Sequence, residues 1–291
     1  TRDLAAFKTN QVGALTTSQI AQGLTTTQIS ALTSAGIAAL TTTQIAQGLT
    51  TDQIVALTTA QVVALKTNQI AEGLTTSQVA ALQTQDVAAL TSAGIAALTT
   101  TQVAQGLTTD QIVALTTAQI GALTTNQISQ GLTTDQVAAL ETRDLAAFKT
   151  SQVASLTTSQ IAQGLTTTQI SALTSAGIAA LTTTQVAQGL TTDQIVALST
   201  AQVVALTTSQ IAQGLTTSQV AALETRDVAA MTSTGIAALT TTQVAQGLTT
   251  DQIIALTTAQ IGALTTAQIA EGLTTDQIAA LETRDLAAFK T

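Results

Sequence analysis

Leu49 to Ala56 reads Leu-Thr-Thr-Asp-Gln-Ile-Val-Ala, and the same eight-residue phrase, Leu-Thr-Thr-x-Gln-(Ile/Val)-x-Ala, recurs from one end of the chain to the other. Its apolar positions are 1, 6 and 8. That mixture of odd and even excludes a plain amphipathic strand, which needs strict alternation. The phrase does match the start of a helix. With Thr at position 2 as N-cap, Gln at position 5 is N3, and the two form a capping box in which each side chain satisfies an orphan backbone donor. Leu at position 1 and Ile or Val at position 6 then stand at N′ and N4, the positions of a hydrophobic staple. Leu107, Thr108, Gln111 and Ile112 fill the four roles in one unit.

The next Leu-Thr pair arrives eight residues on, so each helix must be about six residues, near 9 Å long at 1.5 Å per residue. A nine-residue variant ends in Gln-Gly or Glu-Gly and begins at Leu15, Leu40, Leu65, Leu98, Leu123, Leu156, Leu181, Leu206, Leu239 and Leu264. These starts are 25 or 33 residues apart, which groups the units in threes and sometimes fours. Gly23, Gly48, Gly73, Gly106 and Gly131 stand where a left-handed C′ residue would end a helix, and the sharpest turns are expected there. The prediction is an all-α solenoid or superhelix of very short helices. A coil holds about three units (25 residues) and sometimes four, with the 33-residue groups adding a fourth side or shifting phase. One Leu and one Ile cannot offset the backbone entropy of eight residues, so stability must come from coils stacking on coils. Leu, Ile, Val and Ala are expected inside, and Thr, Gln, Asn and Ser outside. The rival architecture is a β-solenoid, since Thr, Ile and Val favour strands. Abundant Ala and Gln, the lack of Pro and of Asn-Gly turns, and the capping register argue against it.

A longer period lies above the unit. Residues 7–147 align without a gap with residues 148–288, 141 residues and 17 units each, differing at 17 positions. Thr1 to Thr9 (TRDLAAFKT) returns at Thr142 to Thr150 and Thr283 to Thr291. We read residues 1–291 as one continuous repeat array, an excerpt of a longer chain, lacking the polar caps of a finished solenoid.

Departures from the consensus are the candidate sites. Gly36, Gly94, Gly177 and Gly235 replace the capping Gln; they read as kinks or crowded corners in preference to sites where a neighbouring chain approaches. Glu141, Arg143 and Asp144, then Glu224, Arg226 and Asp227, then Glu282, Arg284 and Asp285 concentrate charge, with Lys8, Lys149 and Lys290 nearby. Two readings stand for them: lateral contact points between rods, or a solvated face of exposed ion pairs worth about 0–1 kcal/mol. Phe7, Phe148 and Phe289 replace the repeat Leu as core filler. Asp52, Asp110, Asp135, Asp193, Asp251 and Asp276 fall at N2, where a carboxylate favours the positive end of the helix dipole.

Composition excludes much chemistry. The 291 residues contain no His, Cys, Trp, Tyr or Pro. That removes a His general base, a thiolate nucleophile, a disulfide and an N/S zinc site, and leaves no aromatic cage. No catalytic constellation, calcium loop or phosphate loop is found, and no enzyme, cofactor or metal role is expected. A net charge of −8 and a pI near 4.2 oppose nucleic-acid binding. Thr, Gln or Ser interrupts every apolar stretch, so no membrane span is expected.

LTTDQIVA and LTTAQVVA also resemble the long LTTxQ(I/V) arrays of very large, repetitive bacterial surface or secreted proteins, described as adhesin-like or haem-utilisation-like. The resemblance spans essentially the whole chain and implies extracellular or cell-surface display as a fibre or adhesive stalk. Haem would find only Met231 as a soft ligand. The phrase is similar as well to the helix start of TAL-effector repeats, but it lacks their 34-residue period, base-reading pair and basic surface. The expected role is a self-assembling filament, sheath or stalk whose partner is itself. The alternative is an adhesin passenger or an ice- or glycan-binding module that uses its regular Thr surface. An artificial consensus array would not show the conservative drift between the two copies.

Overall fold

The computed structural model describes residues 6–286, apart from the Arg284 side chain, so Phe289 and Lys290 lie outside the described residues. Two compact units divide the chain, Thr1–Ala147 and Phe148–Thr291. Each is an all-α solenoid of short helical turns, and among the described residues no strand occurs.

The local rule is the one read from the phrase. Thr108 has extended backbone, φ −78° and ψ 162°. Its hydroxyl accepts from the Gln111 amide at 3.2 Å, while the Gln111 Oε1 accepts from the Thr108 amide at 2.9 Å. The helix Thr109–Ala114 follows and ends where Leu115 returns to φ −62° and ψ 140°. That extended residue is already N′ of the next box. Leu107 and Ile112 are both buried, as a staple requires.

The nine-residue units solve a different problem, because one extra residue must fit between two caps. They do so by widening the last turn. In an eight-residue unit the Leu115 amide reaches Ile112, three residues back; in a nine-residue unit the Leu107 amide reaches Gln102, five back, at 3.0 Å. The result is a π-helical turn, Gln102–Gly106, with counterparts such as Gln44–Gly48 and Gln127–Gly131. Such i→i+5 turns occur mostly as single-turn bulges, which is the form one extra residue takes here.

This corrects the expectation for Gly23, Gly48, Gly73, Gly106 and Gly131. Each does close its helical turn, but none is left-handed: no described residue has positive φ. What most of them provide is room. A Cβ on Gly48 would lie 3.3 Å from the Ile20 Cβ, one on Gly73 would lie 3.3 Å from the Ile45 Cβ, and one on Gly131 would lie 3.1 Å from the Val103 Cβ. At Gly106 the gap to the Val79 Cβ is 3.0 Å.

Stacking joins units that are three apart. Ser34–Ile37 packs on Thr9–Gly13, Thr59–Val63 on Ser34–Ile37, and Gln44–Gly48 on Gln19–Gly23. The 33-residue interval between Gln69 and Gln102 keeps this rule, since Gln102–Gly106 packs on Thr76–Ala81 and Ser92–Ala97 packs on Gln69–Gly73. The second unit does the same, with Gln243–Gly247 on Thr217–Ala222. Within each compact unit, then, the 33-residue groups keep to the three-unit coil. The 33-residue groups shift phase, moving the π turn from one side of the coil to the next. Position 1 Leu and position 6 Ile or Val form the core; Ile112 and Leu115 are both 0% exposed. Phe148 takes the Leu position and is buried with them.

Candidate functional site

Helices this short leave nearly every backbone polar group at an end, and the orphan donors and acceptors must find partners. The capping box deals with the N-terminal amides. The C-terminal carbonyls are served by the coil above. Gln111 Nε2 donates to the Val79 carbonyl at 3.0 Å and the Leu82 carbonyl at 2.7 Å. In the second unit Gln202 Nε2 donates to Ile170 at 2.9 Å and Leu173 at 2.7 Å. An amide is the group that accepts at one end and donates twice at the other. The capping glutamine thus lies inside, not on the surface expected from its polarity: Gln53, Gln61, Gln111 and Gln252 are 1–2% exposed. Sequence reasoning saw only the local half of its role. Its near-invariance at position 5, where Glu would cap as well, was the available signal.

Among the described residues four carboxylates stand where a glutamine would. Asp86, Asp144, Asp227 and Asp285 are buried, and since a carboxylate only accepts, the joint is reversed. The Thr59 hydroxyl of the coil below donates to Asp86 Oδ1 at 2.6 Å, and Thr117 donates to Asp144 at 3.0 Å. Thr200 and Thr258 do the same for Asp227 and Asp285. Asp86 Oδ2 and Asp144 Oδ2 are buried without a hydrogen-bond partner. Burial pushes the Asp144 carboxyl above its ordinary value; the Thr117 hydroxyl and the Arg143 guanidinium oppose this, and Glu141 adds to it.

The charged corners therefore separate into two kinds of residue. Asp144, Asp227 and Asp285 are internal. Glu141 with Arg143, and Glu224 with Arg226, remain outside as ion pairs of 2.6 and 2.7 Å. The arginines also stand 3.8 and 3.6 Å from Asp144 and Asp227. Glu282 is exposed, and the side chain of Arg284 lies outside the described residues.

Gly36, Gly94, Gly177 and Gly235 keep half of the box: the Gly94 amide still donates to the Thr91 hydroxyl at 3.0 Å. A Cβ at Gly94 would lie 3.1 Å from Ile70 Cδ1, so an aliphatic side chain from below crowds the corner. The N2 aspartates, from Asp52 to Asp276, are exposed in first turns. At position 7, where Ala is usual, Val55, Val63 and Val113 are 39–43% exposed, and Val196, Val204 and Ile254 repeat them in the second unit. Among the described residues no cluster of acidic side chains could hold a metal ion, and no helix is long and apolar enough to cross a membrane.

Against known proteins, the family model of the ALTTAQ repeat matches residues 1–34, 30–59, 79–117, 112–142, 137–175, 220–258 and 254–283, well over half of the chain. The model of the TAL effector repeat matches residues 180–201. No curated protein matches. Among solved structures, the chain is similar to the leucine-rich repeat-containing protein LegL7 from Legionella pneumophila, at 10% identity over 71% of this chain and 67% of that one, with a TM-score of 0.21.

Proposed function

The chain belongs to the ALTTAQ repeat family, and from that membership we propose that this structural repeat protein serves as a stiff extracellular rod, stalk or filament that associates with further copies of itself. One observation carries the reading. Within each unit the capping glutamine amides are spent on tying consecutive coils together, which favours stiffness, and the exterior carries Thr and Ala with interspersed Gln and Asp. A repeat-protein fold fits a non-enzymatic role. The exposed position 7 aliphatics, set out three to a unit, support association between copies, as do the exterior pairs Glu141 with Arg143 and Glu224 with Arg226. The sequence resemblance to surface arrays supports display outside the cell. Electron microscopy of purified protein tests this: elongated, laterally associated particles are expected, and dispersed compact monomers at all concentrations would overturn self-assembly.

A second reading is favoured by the columns of exposed cap threonines. Thr50, Thr75, Thr99 and Thr124 belong to units that are successively three apart and are all exposed. Such a column suits a regular partner, either surface glycans or ice. Thermal hysteresis or glycan-array binding by the same preparation would select it over the first reading.

A further inference from the structure

Counted along either unit, the joints between coils are not equal. In the first unit five successive stations from Gln44 to Gln78 each donate twice to the coil below, and five more do so from Gln102 to Gln136. Between these runs stand Asp86 and Gly94. The second unit repeats the arrangement, with Asp227 and Gly235 between Gln219 and Gln243. Neither Asp nor Gly can supply the missing donors, one having only acceptors and the other no side chain. Asp86 receives one bond from Thr59, and Gln83 Nε2 adds one to the Val55 carbonyl at the exposed rim. Against these stands the buried, unpartnered Asp86 Oδ2. Apolar packing offers no compensation, since Val87 and Ile95 are buried to the same 0% as Ile112.

We propose that the paired Asp–Gly stations, Asp86 with Gly94 and Asp227 with Gly235, are built-in yielding joints, at which the coils of each unit part before those of the flanking glutamine-tied runs. Resting on the rod reading, this gives a stalk under tension a doubly weakened place within each unit at which to lengthen while the glutamine-tied runs on either side stay folded. Four donor bonds are absent at Asp86 and Gly94 and two take their place; the net loss of two, at about 1 kcal/mol each, with a buried acceptor left unsatisfied, translates into local opening about ten- to a hundredfold more frequent than in the runs.

Hydrogen exchange of the whole chain, followed by mass spectrometry in dilute, dispersed solution, tests the joint separately from any assembly. Residues 84–97 and 225–238 are expected to exchange about ten- to a hundredfold faster than residues 109–122 and 250–261. Asp86→Gln should slow 84–97 and leave 225–238 as an internal control, and Gln119→Asp should create a new fast segment. Uniform protection in the unmodified chain, or an unchanged 84–97 in a folded Asp86→Gln protein, would overturn the proposal. Should Asp86→Gln fail to fold, the comparison of segments in the unmodified chain still decides.

Discussion

Gln111 donates its side-chain amide to the carbonyl of Leu82, 29 residues earlier, at 2.7 Å, while its own carbonyl oxygen holds the Thr108 amide three residues earlier. One side chain thus closes a local box and a long-range joint. Gln111→Glu keeps the box but removes both donors and sets a carboxylate against two carbonyls. A loss of about 2–4 kcal/mol is expected from unsatisfied acceptors and buried charge. The exposed Gln85→Glu should change stability by less than about 0.5 kcal/mol. Urea denaturation of both variants checks the contrast; equal midpoints would show that the amide contributes nothing.

The cap makes a separate prediction. Thr108→Ala removes the hydroxyl that accepts from the Gln111 amide and should cost about 1 kcal/mol. Thr109→Ala, at the exposed first helical position, should be close to neutral. Thermal denaturation of the pair measures the cap against its neighbour.

Glycine-to-alanine changes test whether crowding is what selects glycine. Gly106→Ala would place a Cβ 3.0 Å from the Val79 Cβ and 3.2 Å from the Thr76 carbonyl oxygen, so it should destabilise even though Ala is the better helix former. Gly121→Ala, whose Cβ would come no closer than 3.4 Å to the Thr117 carbonyl oxygen, should stabilise by up to about 1 kcal/mol. Melting temperatures are expected to shift in opposite directions for the two variants, and a shared sign would refute the crowding account.

Asp144 gives a pH dependence opposite to that of a salt-bridged aspartate. Its carboxyl titrates above the ordinary value because burial disfavours the charged form. The folded state therefore holds its proton over a pH range in which the unfolded chain has released it. The stabilisation is complete below the unfolded value, and it is lost as pH rises through the folded one. Asp144→Asn should remove this loss and flatten the acid side of the stability profile. Melting curves from pH 3 to 7 for both proteins test it, and parallel profiles would refute it.

Much of the fold is legible in eight letters because the determinants are local. Thr108, Gln111 and Ile112 act within one turn, and their spacing alone specifies the cap. The core follows as well, since Leu115 and Ile120 recur in phase with it. What escapes the sequence depends on which unit lies beneath which. That Gln111 is buried follows from the position of Leu82, not from its own neighbours in the chain. The same is true of Asp144, which reads as surface charge beside Glu141 and Arg143 until Thr117 is found below it. The π turn at Gly106 escapes for another reason: a Gly at a helix end commonly signals a left-handed cap, and only the backbone shows the wider turn that replaces it.

Within each compact unit the glutamine joints run in one direction, with the amide on the later residue and the carbonyls on the earlier ones, as from Gln111 back to Leu82 and from Gln202 back to Leu173. A polypeptide leaving the ribosome would accordingly carry the fastener for each joint on the segment just made, with its receptor already in place. Nothing downstream is needed for that joint to close. Such a chain can be wound as it is spun, each new coil templated by the last, and about thirty residues is the longest stretch that must wait exposed before it is secured.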